Sequence, residues 1–283
     1  MEEDTKMSSK VNYGKYRVNT DGLVFRVDGY SDRSYDHNTE YWRDLTPSGL
    51  DVKLQNTGLY DETSGYYKFR NPDNGDNTYG AISGSNFIGL RSLGVLKDAD
   101  SSFTIEAFFD IKDSGSDSPP DDGAVIFGNT DHNKSGYSYG FVTQTGNGGE
   151  ISGIKAVVST NKVDGSDNNP WTGMSVTLSD VDDPSISGSD FRHVAMTYNS
   201  STSEMIGYMD GQKKGTASFP ATNSSGFHTG DENGTYQQFY VGGNNSSGLN
   251  INVGVVSAYN RALSSGEVLA NCKAVKHRYG QGY

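Results

Sequence analysis

The chain has 283 residues, 33% of them hydrophobic and 11% aromatic, which is enough bulk to fill a core and argues against a disordered composition. No apolar run approaches the roughly 18 residues a spanning helix needs, the single cysteine (Cys272) rules out an internal disulfide and a zinc–cysteine cluster, and a net charge of −12 with scattered Lys and Arg argues against nucleic acid as a partner. Aspartate outnumbers glutamate 26 to 9 beside 36 glycines, so turn formers dominate over helix formers and an all-β fold is expected.

Residues 1–20 are polar and without periodicity, and read as an extended docking arm ahead of a single domain over 21–283. The opening MEEDTKMSSK has no apolar stretch of the kind a signal peptide carries, so synthesis in a cytoplasm without export is expected. Strands follow, recognised by period-two alternation. Leu23, Phe25 and Val27 share one face, with Val24 and Arg26 opposite. FTIEAFFDI (103–111) is the longest clean alternation, and Tyr137, Tyr139 and Phe141 alternate in YSYGFVT. Further strands fit 151–159, 173–178, 191–198, 204–210, 238–243 and 251–259. Asp210-Gly211 signals a two-residue hairpin turn. The connections are mostly too short for crossover helices, so antiparallel pairing is expected.

One helix is predicted, at the end of the chain. Ser264-Ser265-Gly266-Glu267 matches a capping box, in which Ser264 and Glu267 satisfy each other's free backbone N–H groups. Val268, Cys272 and Val275 then fall on one face, which makes Cys272 a small buried apolar residue. Lys273, Lys276, His277 and Arg278 crowd the negative end of the dipole, and Gly280 can end the helix.

Four segments together resemble the concanavalin A-like lectin/glucanase superfamily, in its laminin-G-like jelly-roll branch. They are GLVFRVD (22–28) with WRDLTPSG (42–49), FTIEAFF (103–109), FRHVAMTYNSSTSEMIGYMDGQKKG (191–215), and VGG (241–243) with VVSAYNRALSSGEVLAN (255–271). Phe108 and Phe191 stand where the family often has Trp. The resemblance implies an all-β fold: a two-sheet antiparallel jelly-roll sandwich with one C-terminal helix. The closing NRALSSGEVLANCKAVKHRYG also resembles laminin-G-like virion proteins of tailed phages. That likeness implies a virion structural protein on the capsid or tail, attached to other virion proteins or a second copy through the arm. A bacterial carbohydrate-binding lectin is the alternative reading.

The candidate sites follow from this frame. Glucanases on the fold carry alternating acidic residues on one strand, one acting as acid and one as nucleophile. Glu106 and Asp110 share a face, but Phe108 stands between them and no third acid follows, so no catalytic set is read here. His193 has no nucleophile motif and reads as structural. Lectins combine a ring that stacks on sugar with Asp or Asn side chains that bond its hydroxyls. Trp171 follows Asp164, Asp167, Asn168 and Asn169 in one polar loop, and can either present its ring to a glycan or fold back as a plug. Tyr137 and Tyr139 can line a groove or pack in the core. Trp42 is expected to be buried. No cofactor is required. Calcium is the metal the superfamily suggests, with Asp28 and the Asp180, Asp182 and Asp183 cluster as candidate ligands, although no acidic loop matches a D-x-[DN]-x-[DN]-G pattern.

Overall fold

In the computed structural model, the described residues are 17–35, 40–55, 59–70, 79–82, 90, 93–95, 100–112, 125–130, 138–145, 151–159, 173–179, 191–218, 239–243 and 250–281. Their strands are β1 (Leu23–Asp28), β2 (Tyr41–Trp42), β3 (Val52–Gln55), β4 (Leu59–Asp61), β5 (Tyr66–Phe69), β6 (Tyr79–Ile82), β7 (Phe103–Ile111), β8 (Val125–Thr130), β9 (Ser138–Thr145), β10 (Ile151–Ser159), β11 (Gly173–Ser179), β12 (Arg192–Asn199), β13 (Glu204–Met209), β14 (Gln212–Ser218), β15 (Tyr240–Val241) and β16 (Ile251–Tyr259). A single long helix among the described residues, α1 (Ser265–Arg278), closes the chain.

The strands form two antiparallel eight-stranded sheets. Sheet A has the order β14-β13-β12-β7-β16-β5-β4, with β1 sharing the free edge of β16 with β5. Sheet B has the order β11-β10-β9-β8-β15-β6-β3-β2. The two pack face to face over one core that takes Phe103, Ile105, Ala107, Phe109 and Ile111 from β7 and Ile154, Ala156 and Val158 from β10. This is the all-β sandwich with a C-terminal helix that the sequence implies.

Local chemistry accounts for the details. Asp210 and Gly211 both take positive φ, 51° and 74°, which is the turn twist that joins β13 to β14 directly. The capping box is present: Ser264 accepts from the Glu267 backbone while the Glu267 carboxylate accepts from the Ser264 backbone. Val268, Cys272 and Val275 are buried. Phe108 and Phe191 stack with centroids 4.9 Å apart, and Tyr279 packs against both rings. Trp42 is fully buried against Tyr67.

Two features differ from the sequence reading. A register shift between Leu23 and Phe25 sends Leu23 to the helix side of sheet A, while Val24, Phe25 and Val27 pack on the core between the sheets. The strands β2 to β6 and β8 were also not legible, because β2 to β6 span only two to four residues each and β8 lies in an apolar run without alternation.

Candidate functional site

Sheet B delivers the sequence-predicted sugar residues toward one end. Ser159 pairs with Gly173, so the connection 160–172 leaves β10 and enters β11 at the same place. Tyr139 pairs with Val158 on one side and Asn129 on the other, and Thr130 pairs with Ser138. The connection 131–137 therefore joins its strands beside the anchor of 160–172. Tyr240, where the chain enters β15, pairs with Gly128 near the same end. Asp164, Asp167, Asn168, Asn169, Trp171 and Tyr137 themselves lie outside the described residues, and Tyr139 is placed by its backbone register.

The metal candidates are not brought together in this way. β11 ends at Ser179 opposite Ile154, away from the Ser159–Gly173 pair, and Asp180, Asp182 and Asp183 lie beyond it, outside the described residues. Asp28 sits in sheet A, fully buried, with Oδ2 3.0 Å from Arg26 Nη2 and 3.4 Å from Arg278 Nη1. Its Oδ1 accepts from the Tyr30 backbone. Two guanidinium groups thus already meet its charge. Among the described residues, no group of three or more His, Cys, Asp and Glu is placed to hold a metal ion.

The outward face of sheet A is closed by α1. Thr104, Glu106, Phe108 and Asp110 alternate outward on β7, yet every residue of β7 is buried. Asn271 of α1 spans the face of Glu106, its Nδ2 donating to both carboxyl oxygens at 3.2 and 3.0 Å and to the Tyr259 hydroxyl at 3.0 Å. Burial pushes the Glu106 carboxyl up to about 8 and pushes the His193 imidazole down to about 4. Asp110 is buried beside Asn252 and ion-paired with Lys112. The Glu106–Asp110 pair is therefore buried, out of reach of a polysaccharide. Burial also pushes the Cys272 thiol up to about 12, which makes it inert as a nucleophile.

Sequence reasoning missed the side chains that seal this face. Asn19 runs across the start of α1, its backbone N–H donating to Asn271 Oδ1 at 2.8 Å and its carbonyl accepting from the Tyr259 hydroxyl at 3.2 Å. Residues 17–20, the end of the segment read as an arm, line a cleft of about 480 Å³ with Ser264, Gly266, Glu267 and Ala270. Arg261 pulls the Glu267 carboxyl in this cleft down to about 2, so the helix start is already supplied with its anion. A signal was present: polar residues recur at alternate positions of β7, β12 and β16 opposite their apolar ones, which marks a second buried face once a helix follows.

No protein-family profile matches the sequence, and no curated protein matches it. Solved structures do match. The binding domain of botulinum neurotoxin DC in complex with rat synaptotagmin II has a TM-score of 0.59 at 12% identity over 90% of this chain and 52% of that one. The binding domain of Paraclostridial Mosquitocidal Protein 1 has a TM-score of 0.58 at 14% identity over 92% of this chain and 55% of that one. A structure from work on botulinum neurotoxin type C entry through two ganglioside molecules has a TM-score of 0.56 at 12% identity, covering 90% and 51%. The chain spans about half the length of these structures, and at such identities the likeness is one of fold.

Proposed function

We propose that this protein is a non-catalytic glycan-binding jelly roll whose sugar site lies at the end of sheet B from which the 131–137 and 160–172 connections leave. The observation that carries this reading is the register that sets Tyr139 beside Val158 and Ser159 beside Gly173, so that two polar, aromatic-bearing connections start from neighbouring points. Trp171 supplies the stacking ring, with Tyr137 or Tyr139 beside it, and Asp164, Asp167, Asn168 and Asn169 supply the hydroxyl-bonding groups. The burial of Glu106 under α1, and of Asp110 beside Asn252 and Lys112, supports binding over hydrolysis. Fold neighbours described by a complex with synaptotagmin II and by interaction with gangliosides support the same class of role. In the finer reading the module is displayed on the capsid or tail of a tailed phage and attached through residues 1–20; the resemblance of the closing segment to phage virion proteins supports this.

A glycan array tests the class of ligand. Trp171→Ala should weaken the strongest hit by about 1–3 kcal/mol with the melting curve unchanged. A Trp171→Ala protein that binds normally, or that fails to fold, removes the ring from the site. Detection of the chain by mass spectrometry in purified virions tests the location, and its absence from them defeats the virion reading.

A further inference from the structure

The interface between α1 and sheet A holds two titratable groups that glycan binding does not use. Glu106 and His193 are 4% and 1% exposed and extend from the paired strands β7 and β12, with Oε1 and Nε2 3.7 Å apart. Among the described residues, neither ring nitrogen of His193 has a hydrogen-bond partner. Around them stand Arg26 and Asp28 on β1, Ser257 and Tyr259 on β16, Asn271, Cys272, Lys276 and Arg278 on α1, Arg192 on β12, and Asp210 at the β13–β14 turn. Asp28 lies between Arg26 and Arg278, and Asp210 between Arg192 and Lys276. Among the described residues these charges are paired with one another, and it is burial above all that resists a second proton on the imidazole. An ionised Glu106 would be a carboxylate taken out of water, and an unprotonated pair would leave the imidazole without its nearest donor.

We propose that Glu106 and His193 hold a single proton between them and that this proton keeps α1 seated on sheet A, so that the helix is a pH-sensitive latch loosening on the alkaline side. Asn271 makes the connection, because it bonds both oxygens of Glu106 and also receives the Asn19 backbone. Release of the helix would therefore free the 17–20 segment with it.

The direction of the effect follows from proton counting. With α1 docked, burial keeps the proton on Glu106 up to about pH 8 and keeps a second proton off His193 down to about pH 4. With α1 detached, the imidazole titrates near its ordinary 6.5 and the carboxyl near its ordinary 4.5. Between those two values each state holds one proton and docking is indifferent to pH. From 6.5 upward the detached state has lost its proton while the docked state retains it. Docking then weakens by up to about tenfold per pH unit, and by about 30-fold in all once the docked pair also ionises near 8.

Hydrogen exchange of the full chain between pH 5 and 9 reads this out. Protection of the α1 amides, corrected for intrinsic rates, should be flat from 5 to 6.5 and fall by about 30-fold by pH 8.5. Glu106→Gln leaves a buried neutral imidazole alone, so its sensitivity should move to the acid side, with protection falling below pH 6.5. Flat protection to pH 9 in the unaltered protein, or the same alkaline loss in Glu106→Gln, overturns the proposal. If that variant does not fold, carboxyl and imidazole NMR of the unaltered protein decides the matter: a protonated Glu106 beside a neutral His193 at pH 6 supports the latch, and an ionised Glu106 at pH 6 sinks it.

Discussion

The helix-covered face of sheet A and the loop end of sheet B put polar residues to opposite uses. Under α1, charged side chains are spent on one another: Asp28 lies between two guanidiniums, Asp210 between a lysine and an arginine, and Glu106 under an asparagine. At the loop end, the strands carry the chain to neighbouring exit points, and Asp, Asn and Trp residues stand in the sequence between the ends of β10 and β11. A face whose polar groups are consumed by closure can be stabilising or pH-sensitive, but it cannot greet a ligand. On the proposed reading, recognition falls to the connections at the end of sheet B rather than to this face.

The largest test of this contrast is Asp28→Ala. Removing the carboxylate leaves Arg26, 2% exposed, and much of Arg278 without their shared anion, and such a loss costs about 3–5 kcal/mol. The urea midpoint should drop accordingly, with the slope unchanged. A drop worth less than about 1 kcal/mol would mean that water reaches this face, and the contrast with sheet B would fail.

A smaller loss is expected within sheet B itself, at Gly140→Ala. Gly140 takes φ +113°, and a Cβ there would lie 2.0 Å from the Phe127 carbonyl oxygen on the neighbouring strand. Strain of this type costs about 1–3 kcal/mol. Gly49, at φ +66° with open space around its Cβ position, is the control and should lose less. Because β9 leads directly to the 131–137 connection, Gly140→Ala should also weaken glycan binding, which Gly49→Ala should not. Equal effects at both positions would show that strand spacing does not position the site.

What could be read from sequence divides along the same line. β7, β12 and β16 were legible because each keeps alternation over eight or nine residues, and α1 because Ser264 and Glu267 announce its start. β5 alternates as well, with Tyr67 and Phe69 buried, but four residues among turn formers do not rise above the background. The second buried face was missed because alternation alone sends Glu106, His193 and Asn252 toward solvent. Only tertiary packing, Asn271 of α1 over Glu106 and Arg70 against Asn252, shows that they are enclosed. For the candidate site, residue types could be proposed from sequence, while the adjacency of the 131–137 and 160–172 connections required the register.

At the helix start, Ser264→Ala should cost about 1 kcal/mol, since its hydroxyl accepts from the Glu267 backbone at 3.3 Å and the reciprocal carboxylate bond alone would remain. Thermal unfolding measures it. Glycan affinity should be untouched, because among the described residues the Ser264 cap bonds only within the helix start. A parallel fall in affinity would couple the two regions and contradict their separation.

The smallest effect is expected from deleting residues 2–16. Among the described residues, the hydrogen bonds that tie the N-terminal segment to α1 and β16 begin at Asn19, whose backbone N–H meets Asn271 and whose carbonyl accepts from Tyr259. Upstream, the apolar residues Met1, Met7, Val11, Tyr13 and Tyr16 are scattered without alternation, so the sequence offers no strand to lose. The melting temperature should therefore stay within about 1 °C, whereas deletion through residue 20 should lower it by several degrees, on the scale of two or three lost hydrogen bonds of about 1 kcal/mol each. If residues 1–16 are a docking arm, the shorter deletion should still abolish assembly with the partner particle, or self-association if the partner is a second copy. A short deletion that melts as low as the long one would make residues 1–16 part of the domain, and the covered face of sheet A would then extend further along the chain than α1 and the 17–20 segment.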